Sequence, residues 1–222
     1  MSEPRFPNES DQYRAARAAL LEEELALRAQ IERVAEQRRS LPPGGALPKD
    51  YVFQELVDGE LVETTLSELF GSDQSTLFIY SFMYAPDMDE ACPMCTSILD
   101  ALDAQVTHID EQISTAVVAK HDPETIEAHA RSRGWSNLRL LSSRSNGYNA
   151  DYWGEVDGNQ TTTANVFVRE GEEIRHFWNS EASYAPMIDG GHMRHLDQIW
   201  PLWGVLDLTP QGRGDWIPSL RY

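Results

Sequence analysis

Cys92-Pro93-Met94-Cys95 places two thiols three residues apart with a proline between them, and the 222-residue chain has no other cysteine. A secreted disulfide scaffold needs more cysteines, spread along the sequence. A single close pair leaves three readings: a redox dithiol, half of a metal site, or two inert buried thiols. The thiolate is the reactive form, and a helix N-terminus stabilises it through its dipole and unpaired N–H groups. Pro93 suits the first helical position, where its missing N–H costs no hydrogen bond. Cys92 then stands at the exposed N-cap and Cys95 one turn in, facing the core, at a separation a disulfide can span. In this reading Cys92 attacks a disulfide or an oxidant, and Cys95 resolves the mixed disulfide. One feature opposes reactivity: Asp87, Asp89 and Glu90 adjoin the pair with no Lys or Arg nearby in sequence, and their charge disfavours a thiolate.

The metal reading needs further ligands. His176 lies on a predicted late strand, so Cys92, Cys95 and His176 form the alternative set for zinc or copper. His192 and His195 are three residues apart near Asp189 and Asp197. The plainer reading of each is a partly exposed ring with one hydrogen bond. His108, His121 and His129 read as helix or loop-edge residues, without metal-pair spacing to the cysteines. The aromatic segment Tyr148-Asn149-Ala150-Asp151-Tyr152-Trp153-Gly154 either walls a substrate over the dithiol or packs as a long loop. A glycine-rich phosphate loop, a nucleophile elbow and a His pair with an intervening Glu are all absent. The dithiol reading calls for no cofactor.

The elements around the pair follow from periodicity. Thr76 to Met83 is an apolar run rich in β-formers, which marks a strand buried on both faces. From Cys95, the residues Ile98, Leu99, Leu102, Val106 and Ile109 keep helical spacing, and Ser114 to Ala119 is the next strand. Strand, helix and strand make a βαβ unit with the dithiol at its turn. A second helix is predicted from Asp122-Pro123 to about Arg133, stopped by Gly134, followed by a strand at Leu138–Leu141. Ala164–Arg169 and Glu173–Trp178 flank Glu170-Gly171-Glu172 as a hairpin. Upstream, Tyr51–Leu56 reads as a strand and Thr65–Phe70 as a short helix, while the polar and aromatic stretch Arg144–Thr163 has no clear period.

Residues 10–40 read as an amphipathic helix with Tyr13, Leu20, Leu27 and Val34 in one stripe, closed by Leu41-Pro42-Pro43-Gly44-Gly45. Leu21 and Leu25 add a second apolar face. The helix either packs on its own domain or serves as the arm of a homodimer. The predicted division is residues 1–45 as helical arm and Pro/Gly linker and 46–222 as the main domain.

Thirty-six acidic against eighteen basic residues give a formal charge of −18, nearly all of it beyond residue 40. Such a surface repels phosphate backbones and anionic lipid, so neither nucleic acid nor membrane is an expected partner. No apolar run is long enough to span a bilayer, and the first residues do not read as a signal peptide, so a cytoplasmic location is expected.

The chain also resembles a bacterial family, the "domain of unknown function 899" group. The similarity rests on Arg38-Arg39-Ser40-Leu41-Pro42, the strand Phe78–Tyr84 (FIYSFMY), and CPMC followed by Thr96 and Asp100. It extends to His108 in THID, Arg133-Gly134-Trp135, Ser142-Ser143, Tyr148–Gly154, Val166–Trp178 and Leu206-Asp207-Leu208-Thr209-Pro210 with Gly212-Arg213. The resemblance implies an α/β fold: a thioredoxin-like three-layer domain with a mixed central sheet behind the N-terminal helical arm. It also implies dithiol–disulfide oxidoreduction, with peroxide reduction as a close variant. Two features depart from ordinary thioredoxins: Ala91 stands where a Trp precedes the first cysteine, and Thr161-Thr162-Thr163-Ala164 lacks the proline that faces the dithiol. The predicted partner is a protein or small-molecule disulfide or a peroxide. The alternatives are the metal-binding or metal-delivery module above and a non-catalytic thioredoxin-like interaction protein.

Overall fold

The computed structural model describes residues 5–185 and 196–222, and the chain divides between Pro42 and Pro43 into two units. The first is built on α1 (Asp11–Arg39). The Ser10 hydroxyl accepts the Tyr13 N–H at 3.1 Å, and Arg38 and Arg39 sit in the last turn, where cations complement the helix dipole. No residue of α1 is buried, and Leu20, Leu21, Leu25, Leu27 and Ile31 are all exposed.

The second unit runs through β1 (Val52–Val57), β2 (Glu60–Thr65), a 3₁₀ turn at Leu66–Leu69, β3 (Thr76–Phe82), α2 (Pro93–Ile109), β4 (Ser114–Ala119), α3 (Pro123–Arg133) and β5 (Leu140–Ser142). It continues with α4 (Tyr148–Asp151), a small hairpin of β6 (Glu155–Val156) and β7 (Asn159–Gln160), then β8 (Thr163–Glu170), β9 (Glu173–Asn179) and α5 (Pro201–Leu206). Seven strands form one sheet in the order β2-β1-β5-β4-β3-β8-β9. The pairs β3–β4 and β4–β5 are parallel, and β3–β8, β8–β9, β1–β5 and β1–β2 are antiparallel. Parallel β3 and β4 bridged by α2, with the β8–β9 hairpin added antiparallel on the other side of β3, make a thioredoxin-like core. Strands β5, β1 and β2 extend it beyond β4.

Alternation along β3 divides the core between the two faces of this sheet. Tyr80 and Phe82 join Cys95, Ile98, Leu99, Leu102 and Val106 of α2, Ile126 and Ala130 of α3, and Trp200 and Trp203 of the tail. Leu77 and Ile79 join Tyr51, Phe53, Leu66, Leu69, Tyr148 and Phe167. The second face is covered by the 3₁₀ turn and α4 in place of long helices.

Three local features differ from expectation. Strand β2 is absent from the sequence reading because it is a mostly exposed polar edge; it turns from β1 through Asp58 (φ 53°) and Gly59 (φ 83°). The stretch predicted without period holds α4 and the β6–β7 hairpin, which turns the same way at Asp157 and Gly158. Strand β5 begins at Leu140, two residues later than predicted. The Asp103 carboxylate accepts the backbone N–H groups of Ser136, Asn137 and Leu138, which holds that segment out of the sheet.

The outer edge of β9 is not bare. His176 N–H donates to Gly45 O and Leu47 N–H to Ile174 O, each at 2.9 Å, so the residues after Pro43 lie along β9 and cover its unpaired edge. Gly44 is needed there, because a Cβ would stand 1.9 Å from the His176 carbonyl oxygen.

Candidate active site

The buried strand β3 ends beside the N-terminus of α2, and there the two cysteines meet. Cys92 is the N-cap, Pro93 opens the helix, and both thiols are free. The Cys92 sulfur accepts the Cys95 N–H at 3.4 Å, and the Cys92 N–H in turn donates to Met83 O at 3.1 Å, which ties the cap to the end of β3. Cys92 is half-buried, and Cys95 is 1% exposed.

The two thiols differ sharply. The Cys95 thiol donates to the Cys92 sulfur, and the backbone N–H groups of Cys95 and Met94 add to it, so Cys92 is held down at about 6 against the opposing effect of burial. Near neutral pH its thiolate outnumbers the thiol by about ten to one. Cys95 moves the other way. Burial, its own hydrogen bond to Cys92 and the charge there all push its thiol up, with the Tyr80 hydroxyl and the Met83 backbone partly opposing.

Two residues that the sequence reading missed complete the buried side. Thr162, just before β8, donates through Oγ1 to the Tyr80 hydroxyl at 2.7 Å, and that hydroxyl contacts Cys95. Thr162 lies in the segment where the proline of ordinary thioredoxins has no counterpart. A tyrosine inside an apolar strand demands a partner for its hydroxyl, and this was the signal available in TLFIYSFM. On the outer side, Arg221 binds Glu90 at 2.6 Å, so the tail neutralises one of the acids beside the pair. A cavity of about 420 Å³ opens there, lined by Tyr84, Glu90, Ala91, His129, Arg133 and Arg221. His129, whose Nε2 is 3.2 Å from Thr96 Oγ1, is kept neutral chiefly by burial, with Arg133 adding to the effect.

The other candidates do not join the dithiol. His176 pairs with Phe167 across the hairpin and packs its ring against Phe167 and Tyr152, on the opposite face of the sheet from Cys95. The alternative set of Cys92, Cys95 and His176 is therefore not assembled, because the alternation of β8 and β9 directs this histidine to the wrong side. Among the described residues no three His, Cys, Asp or Glu side chains gather as a metal would need. His192, His195 and Asp189 lie outside the described residues. The aromatic segment, which holds the short helix α4, packs away from the dithiol: Tyr148 and Tyr152 meet Tyr51 and Phe167 on that same far face. Among the described residues no helix is long and apolar enough to cross a membrane.

The fold resembles solved structures at low identity. Plasmodium yoelii thioredoxin peroxidase I covers 80% of this chain and all of its own length at 17% identity and TM-score 0.47. Enterococcus faecalis AhpC covers 80% of this chain and 98% of its own at 16% identity and TM-score 0.46. A peroxiredoxin-like protein from Aquifex aeolicus covers 63% and 75% at 14% identity and TM-score 0.42. No curated protein sequence matches the chain. The model of a family described as "Bacterial protein of unknown function (DUF899)" matches residues 3–220, and the chain belongs to that family.

Proposed function

We propose that this protein is a thiol–disulfide oxidoreductase in which Cys92 attacks and Cys95 resolves. The observation that carries the reading is the asymmetry of the pair. A half-buried thiolate at a helix N-cap is held at about 6, beside a buried thiol pushed upward. The Cys92 thiolate attacks one sulfur of a substrate disulfide, forming a mixed disulfide and releasing the other sulfur as a thiolate. Cys95 then loses its proton and attacks the Cys92 sulfur. The products are a Cys92–Cys95 disulfide and a second substrate thiol, and two electrons have passed from protein to substrate. An external dithiol restores the pair. With a hydroperoxide as oxidant, Cys92 attacks the terminal oxygen, the alcohol leaves, and Cys95 displaces water from the sulfenic acid.

Turnover of a small disulfide and of an alkyl hydroperoxide, each with a dithiol reductant, tests the reading. Cys92→Ser abolishes both activities, while Cys95→Ser stops turnover and accumulates the mixed disulfide, visible by intact mass. A wild-type protein that exchanges no faster than a free thiol overturns it. A reduced dithiol of this kind fits a reducing compartment such as the cytoplasm. The exposed apolar face of α1 fits a homodimer contact, and light scattering of the full chain against one lacking residues 1–40 reads this directly.

A further inference from the structure

The resolving step of the dithiol reaction needs an exit for a proton. Cys95 is 1% exposed and lies in a cluster with Ile98, Leu99, Ala164, Leu196 and Trp200, so solvent does not reach its thiol. On the basis of that reaction, we propose that the hydroxyls of Tyr80 and Thr162 form the path by which the Cys95 proton leaves.

Few groups can take that proton. In the mixed disulfide the Cys92 sulfur is bonded to substrate and accepts none. The other groups that act on Cys95 are the Tyr80 hydroxyl and the Met83 backbone, which favours the thiolate and so donates. The Tyr80 hydroxyl therefore receives the proton, and Tyr80 is itself fully buried. Burial pushes this phenol far up, so no tyrosinate forms on the way. The hydroxyl gives up one hydrogen as it takes another.

The next oxygen is in place. Strand β8 pairs Ala164 with Tyr80 and Thr163 with Ser81, so alternation puts Thr162 on the Tyr80 side of the sheet. Its Oγ1 lies 2.7 Å from the Tyr80 hydroxyl oxygen and 3.3 Å from Ser81 O. A threonine hydroxyl has one hydrogen, so these contacts are two alternative orientations. With the hydrogen turned to Ser81 O, Thr162 Oγ1 accepts from Tyr80, and Tyr80 accepts from the Cys95 thiol. Movement along this chain breaks the S–H bond. The Cys95 hydrogen passes to the Tyr80 oxygen and the Tyr80 hydrogen to Thr162 Oγ1, and Thr162, half-buried, releases one of its two to water. The S–H electron pair stays on the Cys95 sulfur and forms the bond to Cys92, while the substrate sulfur leaves with its own pair. Before that bond forms, Thr162 donates to Tyr80 and Tyr80 to the new thiolate, which steadies the nucleophile.

Stopped-flow mixing of the reduced protein with dithiodipyridine reads the two steps apart. Release of the first thiopyridine reports attack by Cys92, and release of the second reports resolution by Cys95. Wild-type resolution is expected to be slower in heavy water, with a curved dependence on deuterium fraction because several hydrogens move together. Thr162→Val removes the hydroxyl and keeps the shape. Its resolution is expected to slow by about a hundredfold, the low end for a placed proton-transfer group, and to lose the curvature. Thr162→Ser restores both. A linear wild-type dependence overturns the proposal without any variant. So does a Thr162→Val protein that resolves at the wild-type rate, or one that resolves more slowly with the curvature intact, as a merely structural role would give. First-step release no faster than with a free thiol overturns the dithiol reaction itself.

Discussion

Thr162 and Tyr80 meet at 2.7 Å between hydroxyl oxygens, and through this contact the turn before β8 reaches the buried thiol of Cys95. Tyr80 is therefore a positioning residue for Cys95, the resolving thiol of the proposed reaction. Tyr80→Phe removes the hydroxyl that opposes the upward shift of Cys95 and leaves Thr162 with its weaker contact to Ser81 O at 3.3 Å. The expected outcome is slower decay of the mixed disulfide in stopped-flow mixing, with the alkylation rate of Cys92 unchanged. Folding stability falls by about 1 kcal/mol, the worth of one buried hydrogen bond.

The pH dependence of Cys92 follows from the same pair. Its alkylation by iodoacetamide should rise with pH through a midpoint of about 6 and then level off. The largest cause of the low value is the Cys95 thiol, so Cys95→Ala moves the midpoint upward. The sign for stability is fixed too. A folded pKa below the unfolded value of about 8.5 contributes stability that is full above that value and is lost as pH falls toward 6. Denaturant unfolding of reduced protein should therefore weaken, relative to Cys92→Ser, by up to about 1.4 kcal/mol per pH unit across that window.

Gly44→Ala tests the edge cover on β9. The added methyl meets the His176 carbonyl oxygen at 1.9 Å, so the segment must shift and its hydrogen bonds with β9 weaken. A loss of about 1–3 kcal/mol is expected by chemical denaturation. The pH midpoint of Cys92 should not move, since β8 stands between β9 and β3 and Gly44 meets only the outer edge of β9.

Arg213 clamps the tail. It is 5% exposed, donates to Asp207 at 2.7 and 2.9 Å and to Asp197 at 2.5 and 3.3 Å, and stands 5.3 Å from the centre of the Trp203 ring. Arg213→Ala removes four charge-assisted hydrogen bonds to Asp197 and Asp207 and the cover from Trp203. The expected loss is about 3 kcal/mol, the lower end for breaking a buried pair because both acids are partly solvated. Near-ultraviolet circular dichroism should report the release of Trp200 and Trp203 from the cluster on α2.

The dithiol at a helix start, the βαβ unit and the β8–β9 hairpin were legible in the sequence because each is written in short-range signals. Apolar spacing, a proline at the first helical position and a turn dipeptide act within a few residues. The Asp58-Gly59 and Asp157-Gly158 turns are equally local, but β2 is an exposed edge strand without clear alternation and β6 and β7 are two residues each, so the strands beside the turns carry little signal. The role of Tyr80, the placement of His176 and the Arg213 clamp are of another kind. Thr162 is 82 positions from Tyr80, and Arg213 reaches an acid 16 positions away. Period-two alternation in β9 determines that His176 and its neighbours take opposite faces, but not which face meets the dithiol. That depends on the register of β9 against β8 and of β8 against β3, and the shift between Val166 and Phe167 enters there. Short-range signals wrote the cysteine pair at a helix start into the chain; only long-range strand pairing decided that His176 would face the opposite side of the sheet and that Tyr80 would stand at Cys95.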